Sequence, residues 1–298
     1  MVVVVVVVAV GVAVAVVVVV AVGVAVAVAV VVAVVMITTG WHQLPDEQYF
    51  SLPAVGSHDL MRVLRSPRHA QVKVEDSPAL VMGRLVHSAV LNPTTTWLID
   101  VAVYPDVDRR TKDGKEAWAA FQLEHKGKTW VTNDDMNTIL AVQDAIRSHS
   151  TASKVLAEGI PEMAGIFDSD GITYRIKPDW RRQDGILVDL KTCQDASPKA
   201  FSRSIANFNY HMQAAYYLDV ANLIDGRGSY DTWIWIAVEK EPPYGVAVYH
   251  ADRNMIERGR DLCKRALEVW TKCSETKTWP GYPDTVQNIS LPQYAYFD

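Results

Sequence analysis

Asp179, Asp189 and Lys191 are the residues whose types and spacing could do chemistry. They lie in residues 175–192, RIKPDWRRQDGILVDLKT. Two short apolar stretches, 172–176 and 186–190, flank a turn carrying Gln183, Asp184 and Gly185. Asp-Gly between alternating segments predicts a hairpin. Side chains alternate faces along a strand, so Asp189 and Lys191 share one face and Leu190 takes the other. The hairpin would bring Asp179 beside them. Magnesium takes oxygen ligands, commonly one or two carboxylates plus water and phosphate. Lys191 could then orient or deprotonate an attacking water, or steady charge building on phosphate. The set suits phosphodiester hydrolysis. The competing reading is a solvated hairpin with an incidental ion pair, which contributes little.

Several elements must position these groups. Ser77-Pro78 predicts a helix start and Asn92-Pro93 its end. Within it Gly83, His87 and Leu91 share a face, which places His87 on a buried, mostly apolar surface beside a small residue. A histidine there is commonly a core residue, but a neutral imidazole could also complete a divalent-metal site. Glu162 opens an expected strand, 162–167, as a third carboxylate or simply as an exposed strand-end acid. Residues 210–217, YHMQAAYY, predict a helix running to about residue 225, with Gln213 and Tyr217 on one face and Tyr216 turned to the core. Gln213 and Tyr217 could bond a phosphate or brace the lysine, or be a surface pair.

The remaining chain reads as alternating helices and strands. Ser57 is expected to cap a helix over 58–65, whose Arg62 and Arg65, with Arg68, are a solvated face or phosphate contacts. A strand is expected at 99–104. Arg109, Arg110, Lys112 and Lys115 could follow a nucleic-acid backbone or only solvate a loop. A helix at 116–125 would place Trp118 and Phe121 in the core. Helices are expected at 133–147, 150–158 and 254–273, strands at 232–238 and 245–249, and an irregular tail from 279. The strand at 232–238, TWIWIAV, is apolar on both faces, as a central strand should be.

The chain has 298 residues and a net charge of −5, which excludes a globally basic nucleic-acid binder. Its three cysteines, Cys193, Cys263 and Cys273, are scattered, which argues for a reducing compartment. Residues 1–36 are almost wholly Val and Ala, long enough to span a bilayer but without flanking basic residues. They read as a low-complexity extension in preference to a membrane anchor, and residues 37–298 as one cytoplasmic domain. No Walker A, GxGxxG or GxSxG motif occurs.

Taken in order, GRLVH (83–87), PDW (178–180), VDLKT (188–192) and HMQAAYY (211–217) resemble the RecE-type exonucleases (exonuclease VIII), a branch of the PD-(D/E)XK nucleases. The spacing PD-x9-D-x-K belongs to that signature, and the similarity spans roughly residues 50–298. The resemblance implies an α/β fold with a mixed central sheet flanked by helices. It implies His87, Asp179, Asp189 and the Leu190 carbonyl as metal ligands, with Glu162 a less certain one. Lys191 would be the catalytic lysine, and Gln213 and Tyr217 the QxxxY pair. Magnesium, with manganese as substitute, would serve degradation of double-stranded DNA from its ends, 5′→3′, by a homo-oligomeric ring working with a single-strand annealing recombinase. The rivals are an inactive DNA-end-binding protein and an endonuclease of the same fold.

Overall fold

In a computed structural model the chain forms a mixed α/β fold. The structure describes residues 38–72, 76–92 and 95–292, and the backbone of Val2–Val10, Ala13–Val22 and Ala25–Ala29. These last three segments are antiparallel strands of one sheet, as expected of β-branched valine alternating with alanine. Among the described residues no helix is long and apolar enough to cross a membrane.

The principal sheet has five strands, in the order Val246–His250, Thr232–Glu239, Ile186–Cys193, Trp180–Arg181 and Ile160–Pro161. Ile186–Cys193 and Thr232–Glu239 run parallel and the other pairs antiparallel, so the sheet is mixed. A parallel pair needs a long crossover. The helices Pro198–Asn207 and Tyr210–Asp225 supply it. Alternation along the two central strands feeds two cores. Leu187, Trp233, Trp235 and Ala237 face one, against the helices Tyr210–Asp225 and Arg253–Thr276. Val188, Leu190, Ile236 and Val238 face the other, against Pro78–Leu91 and Asn133–Ser148.

A second, antiparallel sheet joins Gly40–His42, Ala164–Ser169 and Ile172–Ile176. This corrects one expectation. Ile172–Ile176 is not an arm of the hairpin; its partner is Ala164–Ser169, and the true arms are Trp180–Arg181 and Ile186–Cys193. The Asp-Gly turn is present, with Gly185 at a φ of 86°. The preceding arm is only two residues long, too short to show a period. The expected strand at 99–104 is present but shorter, Val101–Val103; residues 99 and 100 end a 3-10 turn, Thr95–Asp100.

The segment before the first long helix is tied down by side chains. Arg175 Nη1 donates to the carbonyls of Tyr49, Phe50 and Leu52, each at 3.1 Å. The Tyr216 hydroxyl donates to the Val55 carbonyl at 2.6 Å. Ser57 is not the helix cap expected. The helix Ser57–Arg65 begins one residue earlier with Gly56 as cap, and Asp59 accepts from the Gly56 N–H at 2.9 Å.

Tyr210–Asp225 is buried nearly all round, and Gly259 is where Arg253–Thr276 crosses it closely. A Cβ on Gly259 would stand 2.2 Å from the His211 carbonyl oxygen, a backbone atom that cannot turn aside. Gly259→Ala should therefore destabilise the protein by about 1–3 kcal/mol, the usual cost of overpacking, despite alanine's better helix propensity. Urea unfolding would show it; an unchanged midpoint would contradict this crossing.

Candidate functional site

The hairpin register explains how the acids meet. Trp180 pairs with Val188, so the next pair outward on this antiparallel ladder is Asp179 and Asp189. The backbone ladder stops there. The Asp179 carboxylate replaces it, accepting from the Leu190 N–H at 2.7 Å. Residue N–H and C=O groups leave a strand on the same side. The Leu190 carbonyl is thus directed to the side that Asp179 occupies.

Asp189 and Lys191 project from the same face, as the alternation requires. Lys191 Nζ lies 2.7 Å from Asp189 Oδ1 and 2.6 Å from Oδ2. It also donates to Gln213 Oε1 at 3.3 Å and lies 4.8 Å from the centre of the Tyr210 ring. The Gln213 amide is bonded in turn to the buried Tyr217 phenol. Gln213 and Tyr217 therefore brace the lysine from the crossover helix.

His87 enters from the other core. The helix Pro78–Leu91 is capped by Ser77, whose hydroxyl accepts from the Leu80 N–H. His87 Nδ1 stands 3.4 Å from Asp179 Oδ1. The expected apolar setting is not found: a quarter of the His87 side chain is exposed (24%) and it faces a carboxylate. Gly83 makes no close approach either, since a Cβ there would meet nothing within 4 Å. Glu162 joins the rim. Its N–H donates to the Asp179 carbonyl at 3.1 Å, and its φ of 49° turns the chain sharply between two strands.

The electrostatics separate the two central acids. Burial opposes ionisation of Asp179, but His87, Lys191 and the Leu190 amide outweigh it and hold its carboxyl below the ordinary value. Burial pushes Asp189 up to about 6; Lys191 pulls it back only in part, and Asp179 adds to the rise. Burial lowers His87, yet facing Asp179 leaves it above its ordinary value. Burial also lowers Lys191, and Asp189 and Asp179 more than reverse this. Burial raises Glu162. Environments that part the pKa values of neighbouring acids are typical of acid–base and metal sites.

The residues present fit a hard cation. By type, two carboxylates, a strand carbonyl and an imidazole on separate elements are what a hard cation takes, and oxygen-rich sets suit magnesium or manganese. Asp189 Oδ2 is buried and accepts no hydrogen bond of good geometry, although the Lys191 ammonium touches it. As the side chains stand, no three His, Cys, Asp or Glu groups among the described residues are placed to hold an ion together. Lys191 neutralises Asp189, and His87 neutralises Asp179.

Two neighbours were not singled out by sequence. Tyr210 roofs Lys191. His58 keeps an accessible surface, yet partial burial and the charges of Lys191 and Arg62 push its imidazole down to about 4. Only their nearness to chemically marked residues could have flagged them. Of the basic residues, Arg62 pairs with Asp59 and Arg110 with Asp108. Arg109 lies over Trp118, whose ring stacks on the buried Phe121.

A family profile described as a PDDEXK-like domain of unknown function (DUF3799) matches residues 62–292. The chain belongs to this PDDEXK-like family. That places it in the PD-(D/E)XK nuclease superfamily. The crystal structure of a "Putative exonuclease" from Eubacterium rectale is similar in fold, with a TM-score of 0.53 at 13% identity over 86% of this chain and 98% of that one. A phage related exonuclease from Haemophilus somnus 129PT overlaps at a TM-score of 0.31 and 11% identity, over 73% of this chain and all (100%) of that one, too loosely to bear on the argument. No curated protein matches the chain.

In this PDDEXK-like site the raised Asp189 carboxyl has a measurable consequence without metal. Its folded pKa, about 6, lies above the ordinary 3.8. The folded state then holds more protons between these values, so this group's contribution to stability falls as pH rises from about 4 to about 6. In chelator, the stability of the native protein minus that of Asp189→Asn should decline across this window in urea titrations. A flat or rising difference would show that the carboxyl is not buried as described.

Proposed function

We propose that this chain is a magnesium-dependent exodeoxyribonuclease of the RecE kind, degrading linear double-stranded DNA by hydrolysis. The observation that carries the reading is the hairpin register, which sets Asp179 across from Asp189 with Lys191 two residues on and His87 3.4 Å from Asp179. The PDDEXK-like family and the similar fold of the Eubacterium rectale structure support it. Asp179, Asp189, His87 and the Leu190 carbonyl would hold the cation, with Glu162 at its rim. A bound cation lowers the pKa of water and neutralises phosphate charge. Lys191 presents an ammonium to the charge that develops on phosphate, held in place by Gln213 and Tyr217.

The 5′→3′ direction, a ring-shaped oligomer, an annealing-recombinase partner and a cytoplasmic site follow from the RecE resemblance as part of the same proposal. So does the reading of residues 1–36 as an extension to a domain over 37–298.

The test uses end-labelled linear duplex and closed circular DNA with magnesium. The native protein should release nucleotides from the linear form, from the 5′ end, and spare the circle. Lys191→Ala should lose on the order of 10²–10³-fold or more in rate, as when a single charge-stabilising donor is removed. Asp179→Ala should lose at least as much. Cutting of the circle would favour an endonuclease. DNA binding with no product from the native protein would favour the inactive end-binding protein.

A further inference from the structure

Phe208 is an exposed aromatic ring beside the site that no step above uses. Its side chain is 60% exposed. It sits at the corner between Pro198–Asn207 and Tyr210–Asp225. Its ring stacks on Tyr210, centres 5.5 Å apart and planes 25° from parallel. Tyr210 is the ring that covers the Lys191 ammonium at 4.8 Å. The exposed face is thus one ring further out from the catalytic amine.

The corner is built to hold it there. Asn209 takes a left-handed φ of 56°, and its carbonyl accepts from the N–H groups of Met212 and Gln213. The same turn that starts the helix bearing Gln213 leaves Phe208 outside. Behind it Phe201 stacks on Tyr249, centres 5.2 Å apart, and Tyr210 lies against Phe201. These rings give the outer one a firm base. An exposed aromatic face beside the site matches how proteins hold single nucleic-acid strands, where the face receives a base. A single exposed apolar side chain needs no explanation by itself. One stacked on the roof of the catalytic lysine does.

We infer that Phe208 stacks on a nucleobase flanking the scissile phosphate and so fixes the cut strand in register with Lys191. This rests on the nuclease reading. It adds a substrate-positioning contact and a requirement for a base, not only a phosphate, beside the cut.

The experiment compares native protein, Phe208→Ala and Phe208→Trp on linear duplex with magnesium. The DNA is either intact or carries an abasic residue on one side of the scissile bond. On intact DNA, Phe208→Ala should be slowed roughly tenfold, the scale of one lost base–aromatic stack. Phe208→Trp should stay near the native rate. The abasic residue should slow the native protein by a similar factor and slow Phe208→Ala no further, because both changes delete one contact. Melting temperatures should coincide, since the ring is exposed. Native-like cutting by Phe208→Ala, or a full abasic penalty in that variant, overturns the inference and leaves the nuclease reading intact. A loss in Phe208→Ala that tracks a changed oligomeric state and ignores the abasic residue overturns it too. Native protein that leaves intact linear DNA uncut overturns both.

Discussion

An ammonium and two carboxylates share a space largely closed to water, and the rest of the fold keeps them there. Ions withdrawn from water carry a desolvation cost that mutual attraction offsets only when geometry is good and the remaining polar atoms are satisfied. Lys191 meets that condition through Asp189, Gln213 and the Tyr210 ring. Asp179 meets it through the Leu190 amide and His87. Asp189 does so incompletely, with one oxygen left without a directed hydrogen bond. Removing any one member would leave its partner buried and uncompensated. The two cores on either side of the sheet act as clamps on this arrangement as much as stores of apolar area.

The site is assembled from both faces of one sheet. Asp189 and Lys191 look toward the crossover helix, whereas Val188 and Leu190 look toward the helix bearing His87. Only a strand end, where the ladder opens, lets groups from both sides approach. The break beyond the Trp180–Val188 pair creates that opening, and Asp179 fills the vacant backbone position. Hydrogen-bond register is therefore what converts a sequence spacing into a spatial one.

This accounts for what the sequence revealed. Pro78–Leu91 was legible because Ser77-Pro78 and Asn92-Pro93 mark its ends by local chemistry. Tyr210–Asp225 was legible from continuous helix-compatible residues, and Thr232–Glu239 from apolar side chains on both faces. Asp179, Asp189 and Lys191 could be grouped because strand alternation and a tight turn are local rules. The arm pairing with Ile186–Cys193 was misread because two residues show no period, whereas Ile172–Ile176 does. The setting of His87 was misread because helical spacing gives the face but not what the face meets. Tyr210, His58 and Phe208 were silent because their placement depends on a helix corner and on contacts between remote segments.

The grip of Arg175 on the carbonyls of Tyr49, Phe50 and Leu52 bears on where this molecule can be trimmed. The family match begins at residue 62, yet the guanidinium holds three peptide groups upstream of it, and Gly40–His42 lines the second sheet. A fragment starting at the match would leave an arginine cation facing empty acceptor positions and a bare sheet edge. Bare edges invite strand-to-strand association between molecules. Shortened versions cut at the family boundary would thus lean toward clumping, while those reaching back past Gly40 would keep the edge covered.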